Sequence, residues 1–240
     1  MIFTSWLFVG FLISVSLIYF SLGRRWQWQN VLLLVASYVS FGLFDWRFLT
    51  LLAGMTVVNY LVGWSIAQSF LTEIDGSFNR RRFLLGIAVI FDLGVLVLFK
   101  YFGFFYESIV GLFSAFGLVV DPVNLTPVLP IGLSFFIFMA LTYPFDIYRQ
   151  KIAHTKRFLD FALFVSFFPT VVSGPVERAE HMLPQFQKAR HITVDNINEG
   201  LWLIMWGFFQ KMVIADNIGW IVNRVYSNYT QFEGLDITIA

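Results

Sequence analysis

Long apolar runs, separated by short clusters of charge, set the pattern of this chain. Five stretches contain no charged residue: 1–23, 26–44, 48–72, 122–145 and 161–176. A helix needs about 20 mainly apolar residues to cross a bilayer, and the first four runs reach or approach that length. Two further runs qualify if they carry ionisable residues: 83–106, with Asp92 and Lys100, and 201–222, with Lys211 and Asp216. None alternates with period two over its length, which argues against a β-barrel. The pattern predicts an all-α polytopic membrane protein with about six transmembrane helices.

The run 161–176 stands apart. It is short for a span and contains Pro169, Ser173, Gly174 and Pro175. Basic residues lie on both sides, Lys156 and Arg157 before it and Arg178, Lys188 and Arg190 after it. A full crossing would leave one cluster misplaced, because cytoplasmic loops collect Lys and Arg. A re-entrant segment that enters and leaves from one face satisfies both clusters. Irregular backbone at membrane depth is tolerated only where it is buried in protein or lines a cavity, so this segment points to a functional cavity. The competing reading is an ordinary tilted or interfacial helix ended by Gly-Pro, and the residue pattern leaves the two open.

Charge placement supplies an orientation. The first run has no basic residue ahead of its apolar stretch, and Arg24 and Arg25 follow it; it reads as a retained span, not a cleaved signal peptide. Alternating spans gather Arg24, Arg25, the Arg80 to Arg82 cluster, Arg149, Lys151, Lys156 and Arg157 on one side. The opposite loops hold Arg47, Glu107 and Asp121. The basic side is predicted to be cytoplasmic and the N-terminus periplasmic, in a bacterial inner membrane. The polar stretch 177–199 reads as a cytoplasmic connector with a short surface helix, and Asn196, three residues before Glu199, as a helix cap.

Composition excludes two alternatives. Hydrophobic types make up 58% and charged types 13% of the chain, against about 25% charged in soluble domains. A soluble fold could not bury that much apolar surface, and a disordered chain would be far more polar. The net charge of +1 gives no footprint for a nucleic-acid partner. The absence of cysteine excludes disulfides, thiol nucleophiles and thiolate metal sites.

Candidate chemistry is sparse. His154, His181 and His191 lie in polar connectors. A general base needs an orienting partner and shelter from water; neither is evident nearby in sequence, so the histidines read as solvated or interfacial. Asp92 reads as hydrogen-bonded inside the bundle, with a substrate or proton role as the alternative. Lys211 and Asp216, five residues apart, fall about 140° apart on an α-helix, which predicts separate partners for each. Metal, nucleotide and hydrolase signatures are absent from the sequence.

Several stretches resemble one family. Leu129-Pro130-Ile131-Gly132-Leu133-Ser134-Phe135-Phe136-Ile137-Phe138, followed by Asp146-Ile147-Tyr148-Arg149, is similar to a signature of the membrane-bound O-acyltransferases (MBOAT). So are Phe167-Phe168-Pro169-Thr170-Val171-Val172-Ser173-Gly174-Pro175-Val176 and Gly207-Phe208-Phe209-Gln210-Lys211-Met212-Val213-Ile214-Ala215-Asp216. Weaker likenesses are Ser37-Tyr38-Val39 with Asp45-Trp46-Arg47-Phe48-Leu49, and Phe99-Lys100-Tyr101-Phe102. The strongest likeness is to the bacterial branch that holds the membrane subunit of alginate O-acetylation.

The resemblance implies transfer of an acyl group, from a cytoplasmic thioester such as acetyl-CoA or an acyl carrier, to a hydroxyl of cell-envelope polysaccharide. It implies a ring of helices around a thinned funnel, with no bound cofactor or metal. Membrane lipid, the acyl donor and periplasmic acetylation proteins are the implied partners. Motif position and the cavity inference together nominate Ser134, Pro169, Ser173, Gly174, Pro175 and Lys211 as funnel lining. The family's catalytic histidine lies in a Trp-His-Gly context of its C-terminal half, and Trp-His does not occur here. Residues 1–240 are therefore expected to be the N-terminal part of a longer membrane domain, inactive alone, with the histidines beyond residue 240. A transporter half and a non-catalytic scaffold docking an acyl carrier or periplasmic partners are the other classes considered.

Overall fold

Four helices follow the first apolar runs: α1 (Trp6–Ser21), α2 (Trp26–Asp45), α3 (Arg47–Leu71) and α4 (Ser77–Lys100). The computed structural model describes residues 5–23, 25–71, 77–116, 132–171, 174–190 and 192–227, with no strand among them. The buried positions of α3, Leu52, Met55, Thr56, Asn59, Val62, Gly63, Ile66 and Ser69, recur every three or four residues along one face. Its outer face is apolar too, with Val57, Leu61 and Trp64 exposed, and α4 likewise turns Phe83 and Ile90 outward. Exposed apolar faces on this scale mark contact with lipid. Helices Arg47–Leu71 and Phe78–Lys100 are long and apolar enough to cross a membrane. The chain is an all-α membrane protein.

α3 packs between α4 and α6 (Leu133–Tyr148), and this trio holds most of the core, including Leu52, Met55, Ile66, Phe136, Ile137 and Met139. Asp92 is buried on α4 and accepts a hydrogen bond of 3.0 Å from Asn59 Nδ2 on α3, as its structural reading expects. The run 83–106 is not one helix. α4 begins earlier, at Ser77, and stops at Lys100; α5 (Phe102–Ala115) starts after Tyr101. Lys100 thus ends α4, where a cation complements the partial negative charge of the last carbonyls. α6 begins well inside the run 122–145 and continues through Asp146 to Tyr148. Leu129, Pro130 and Ile131 lie outside the described residues.

The run 161–176 is interrupted. α7 (Phe158–Ser166) is almost wholly buried, Phe167 leaves the helical conformation, and α8 (Phe168–Val171) forms a single short turn. α7 spans about 13 Å at 1.5 Å per residue, less than half the roughly 30 Å hydrocarbon thickness. α9 (Ala179–Phe186) follows. The expected surface helix of the connector is instead packed, because Ala179, Met182, Leu183 and Phe186 are buried against α6 and α7.

The chain divides into two units, Met1–Arg190 and His191–Ala240. In the second, α10 (Val194–Phe209), a π-helical turn (Gln210–Ala215) and α11 (Asp216–Ser227) run on from one another. The cap of α10 is Thr193, not Asn196. Thr193 Oγ1 accepts the Asn196 N–H while Asn196 Oδ1 accepts the Thr193 N–H, a reciprocal capping box.

Candidate functional site

The first unit has two places where irregular backbone is held by side chains. One is the break in 161–176. The buried Ser37 hydroxyl, on α2, donates to Leu33 O and accepts the Phe168 N–H at 3.1 Å. This satisfies one of the free N–H groups that a helix start leaves. Pro169 sits in the first turn of α8, where its missing N–H breaks no helical bond. Two glycines let backbone close in. Gly132, at φ +76°, would place a Cβ 2.3 Å from Val171 O, and Gly174 would place one 2.5 Å from Thr170 Cα. The backbone just before α6 can therefore approach the end of α8 because residue 132 is glycine.

The nominated funnel residues are dispersed around this break. Ser134 is half-buried in the first turn of α6. Pro169 lines an apolar cavity of about 340 Å³ between α1, α2 and α9. Gly174 and the exposed Pro175 precede a second cavity of about 420 Å³, bordered by Asp146, Arg149, Val176 and Arg178. Ser173 lies outside the described residues. Lys211 belongs to the second unit.

The other place is the connector between α6 and α7. Gln150 takes the left-handed conformation at φ 58°, and Lys151 N–H returns to Asp146 O at 2.9 Å, closing α6. Tyr143, fully buried, accepts the Thr155 N–H at 3.1 Å and lies 2.8 Å from His154 Nδ1. The phenol oxygen thus joins the Thr155 backbone to the imidazole, which it orients through Nδ1. Burial pushes the His154 imidazole below its usual value. Tyr60 donates to Thr155 O at 3.0 Å, and Gln187 Nε2 donates to Thr155 Oγ1 at 3.0 Å. Gly63 makes room for the Tyr143 ring, since a Cβ there would stand 2.5 Å from Tyr143 Cε1.

His154 is therefore not a solvated histidine without an orienting partner. Its partner lies 11 positions away on α6, which local sequence reading does not bring together. His181 is exposed on α9, and His191 lies outside the described residues. His154 and Thr155 form the wall of a cavity of about 540 Å³ with Trp26, Lys156, Arg157 and Asp160. The wall sets the cations of Lys156 and Arg157 beside the carboxyl of Asp160, chemistry suited to a group that carries charge of both signs. Among the described residues no cluster of His, Cys, Asp or Glu could hold a metal ion.

Behind this cavity lies a polar chain that the sequence reading did not single out. Asp160 is buried and accepts from Asn30 Nδ2 at 2.9 Å, and Asn30 Nδ2 also reaches Phe186 O at 2.7 Å. Arg190 donates to Asn30 Oδ1, and to Tyr19 Oη at 2.9 Å. Polar residues inside the apolar run 26–44 were the available signal. On the cavity's outer side Lys151 pairs with Glu180 at 2.8 Å, and that ammonium holds the Glu180 carboxyl below its ordinary range.

In the second unit, Lys211 and Asp216 form an ion pair, against the expectation of separate partners. The π-helical turn explains it. With i→i+5 bonding the turn widens, and residues five apart come onto one face.

The chain is 36% identical over 229 residues to a probable alginate O-acetylase AlgI of Pseudomonas putida, covering 95% of this chain and 45% of that protein. It is 37% identical to the protein of the same description from Pseudomonas aeruginosa, over 95% of this chain and 42% of that one. A peptidoglycan O-acetyltransferase of Helicobacter pylori is 31% identical over 77% of this chain. No family model matches the chain, and no solved structure matches it. In sequence, then, the chain is similar to proteins named as O-acetylases and O-acetyltransferases of cell-envelope polymers. The chain spans less than half the length of the curated relatives it matches.

Proposed function

We propose that this chain is part of an O-acetyltransferase of cell-envelope polysaccharide. The observation that carries the reading is identity of 36–37% along 95% of the chain to proteins named alginate O-acetylase. The acyl group comes from a cytoplasmic thioester, acetyl-CoA or an acyl carrier, and goes to a polymer hydroxyl. This chain contributes funnel wall and donor entry, and none of its own histidines is assigned the role of general base. In the first unit Ser134, Pro169, Ser173, Gly174 and Pro175 are the funnel-lining candidates, and in the second Lys211 is the candidate.

The topology that fits this reading has about six crossings, a periplasmic N-terminus and a re-entrant 161–176 in a bacterial inner membrane. The brevity and burial of α7 and the break at Phe167 support the re-entrant element. Periplasmic acetylation proteins complete the pathway. The test is genetic and chemical. Deleting the coding sequence is expected to abolish O-acetyl groups on the envelope polymer, and complementation restores them. The 240-residue chain expressed alone is expected to transfer none. Unchanged polymer acetylation in the deletion strain contradicts the proposal.

A further inference from the structure

Asp160 has an unusual position. Its Oδ1 is taken by Asn30, but its Oδ2 is buried with no hydrogen-bond partner among the described residues. A buried acceptor left open is costly and points to a donor supplied from outside. The residue lines two neighbouring cavities. The first, of about 540 Å³, also holds Lys156, Arg157 and Trp26; the second, of about 430 Å³, shares Arg157 and is walled by Trp28, Val31, Phe158 and Leu159. The first sits where α2 begins and the connector from α6 enters α7. The second mixes the polar Gln27, Asn30, Arg157 and Asp160 with apolar side chains, of which Trp28, Phe158 and Leu159 are exposed.

We infer that these paired cavities hold a phospholipid whose headgroup carries a primary ammonium. The phosphate sits on Arg157 and Lys156, the ammonium draws the Asp160 carboxyl, whose Oδ2 is enclosed without it, round to face the cavity, and the acyl chains lie over Trp28, Phe158 and Leu159. The spacing suits this headgroup. Asp160 N–H bonds to Arg157 O at 3.2 Å, so the two side chains stand one helical turn apart, about 5 Å. Two carbons separate ammonium from phosphate ester over a comparable reach. A purely anionic headgroup would meet the Asp160 carboxylate and be repelled. Trp26 and Trp28 at the start of α2 belong to the interfacial belt where headgroups lie, and Arg157 already stacks on the Trp26 ring at 4.8 Å. The inference does not depend on the acyl-transfer reading.

The experiment is lipid retention by the purified full chain, followed by native mass spectrometry with phosphatidylethanolamine and phosphatidylglycerol. The wild type is expected to prefer phosphatidylethanolamine by about five-fold or more. Asp160→Asn keeps an oxygen for Asn30 and is expected to erase the preference while phosphatidylglycerol binding persists. Arg157→Gln is expected to weaken both lipids by a similar factor. Equal retention of the two lipids by the wild type, or a preference surviving Asp160→Asn, overturns the inference. Should Asp160→Asn fail to fold, Arg157→Gln decides, and unchanged lipid retention in it is contrary. Soluble phosphoethanolamine that competes as strongly as the lipid would reassign the cavity to a free phosphoamine. Asp160-dependent displacement by acetyl-CoA would reassign it to the acyl donor. Either result overturns the lipid site.

Discussion

Helix is interrupted twice in ways that differ physically, at Phe167 in the first unit and at Gln210 in the second. The first interruption is packed in the core and held from outside by Ser37 and Gly132, with Gly174 closing locally on Thr170. The second is exposed, continues as helix, and is closed by the local pair of Lys211 with Asp216. A break held by tertiary contacts is sensitive to any change in shape nearby. One closed by a pair five residues apart on its own helix depends on no distant contact and tolerates change elsewhere.

The glycines offer the sharpest way to break this contrast. Gly132→Ala adds a Cβ at positive φ, 2.3 Å from Val171 O; strain and overpacking together are expected to cost about 3 kcal/mol or more. Gly207→Ala on α10 meets nothing within 4 Å and is expected to stabilise by about 0.5–1 kcal/mol. Thermal unfolding of the two variants in detergent checks both signs. Equal effects would remove the distinction.

Next come the two hydroxyl caps. Ser37→Ala orphans a buried N–H at Phe168 and is expected to cost about 1–3 kcal/mol. Thr193→Ala, at the exposed cap of α10, is expected to cost about 1 kcal/mol. Denaturant midpoints of the pair rank them.

A smaller effect is pH-dependent. Because burial holds the folded His154 imidazole below its usual value, the unfolded chain takes up that proton first as pH falls through about 6.5. Stability is therefore present above that pH and is lost progressively below it, down to the folded value. His154→Gln, which keeps a hydrogen-bonding side chain there, is expected to flatten the dependence of melting temperature between about pH 7.5 and about pH 5.5. An unchanged slope would place the titrating group elsewhere. The smallest effect is expected for Lys211→Gln, about 0–1 kcal/mol, readable as helicity of the second unit by circular dichroism.

How much of this was legible beforehand follows from the range of the forces involved. The helices α1, α2 and α3 were visible because apolar runs and charged boundaries are local. The break in 161–176 was visible because proline and glycine punctuate backbone wherever they stand. The partners were not. Ser37 meets Phe168, Asn30 meets Asp160, and Tyr143 meets His154 only after the chain folds. The Lys211 and Asp216 pair was misjudged for a different reason: the 100° step of an α-helix was applied to a π-helical turn that carries no glycine or proline to announce it.

Polymer acetylation tests the central claim most directly. Gly174→Val, placed in the complete coding sequence containing this chain, fills the close approach to Thr170. At matched membrane abundance, O-acetyl content of the envelope polysaccharide is expected to fall by about ten- to a hundred-fold. Acetylation at the wild-type level would contradict a role for the 161–176 break in acyl transfer.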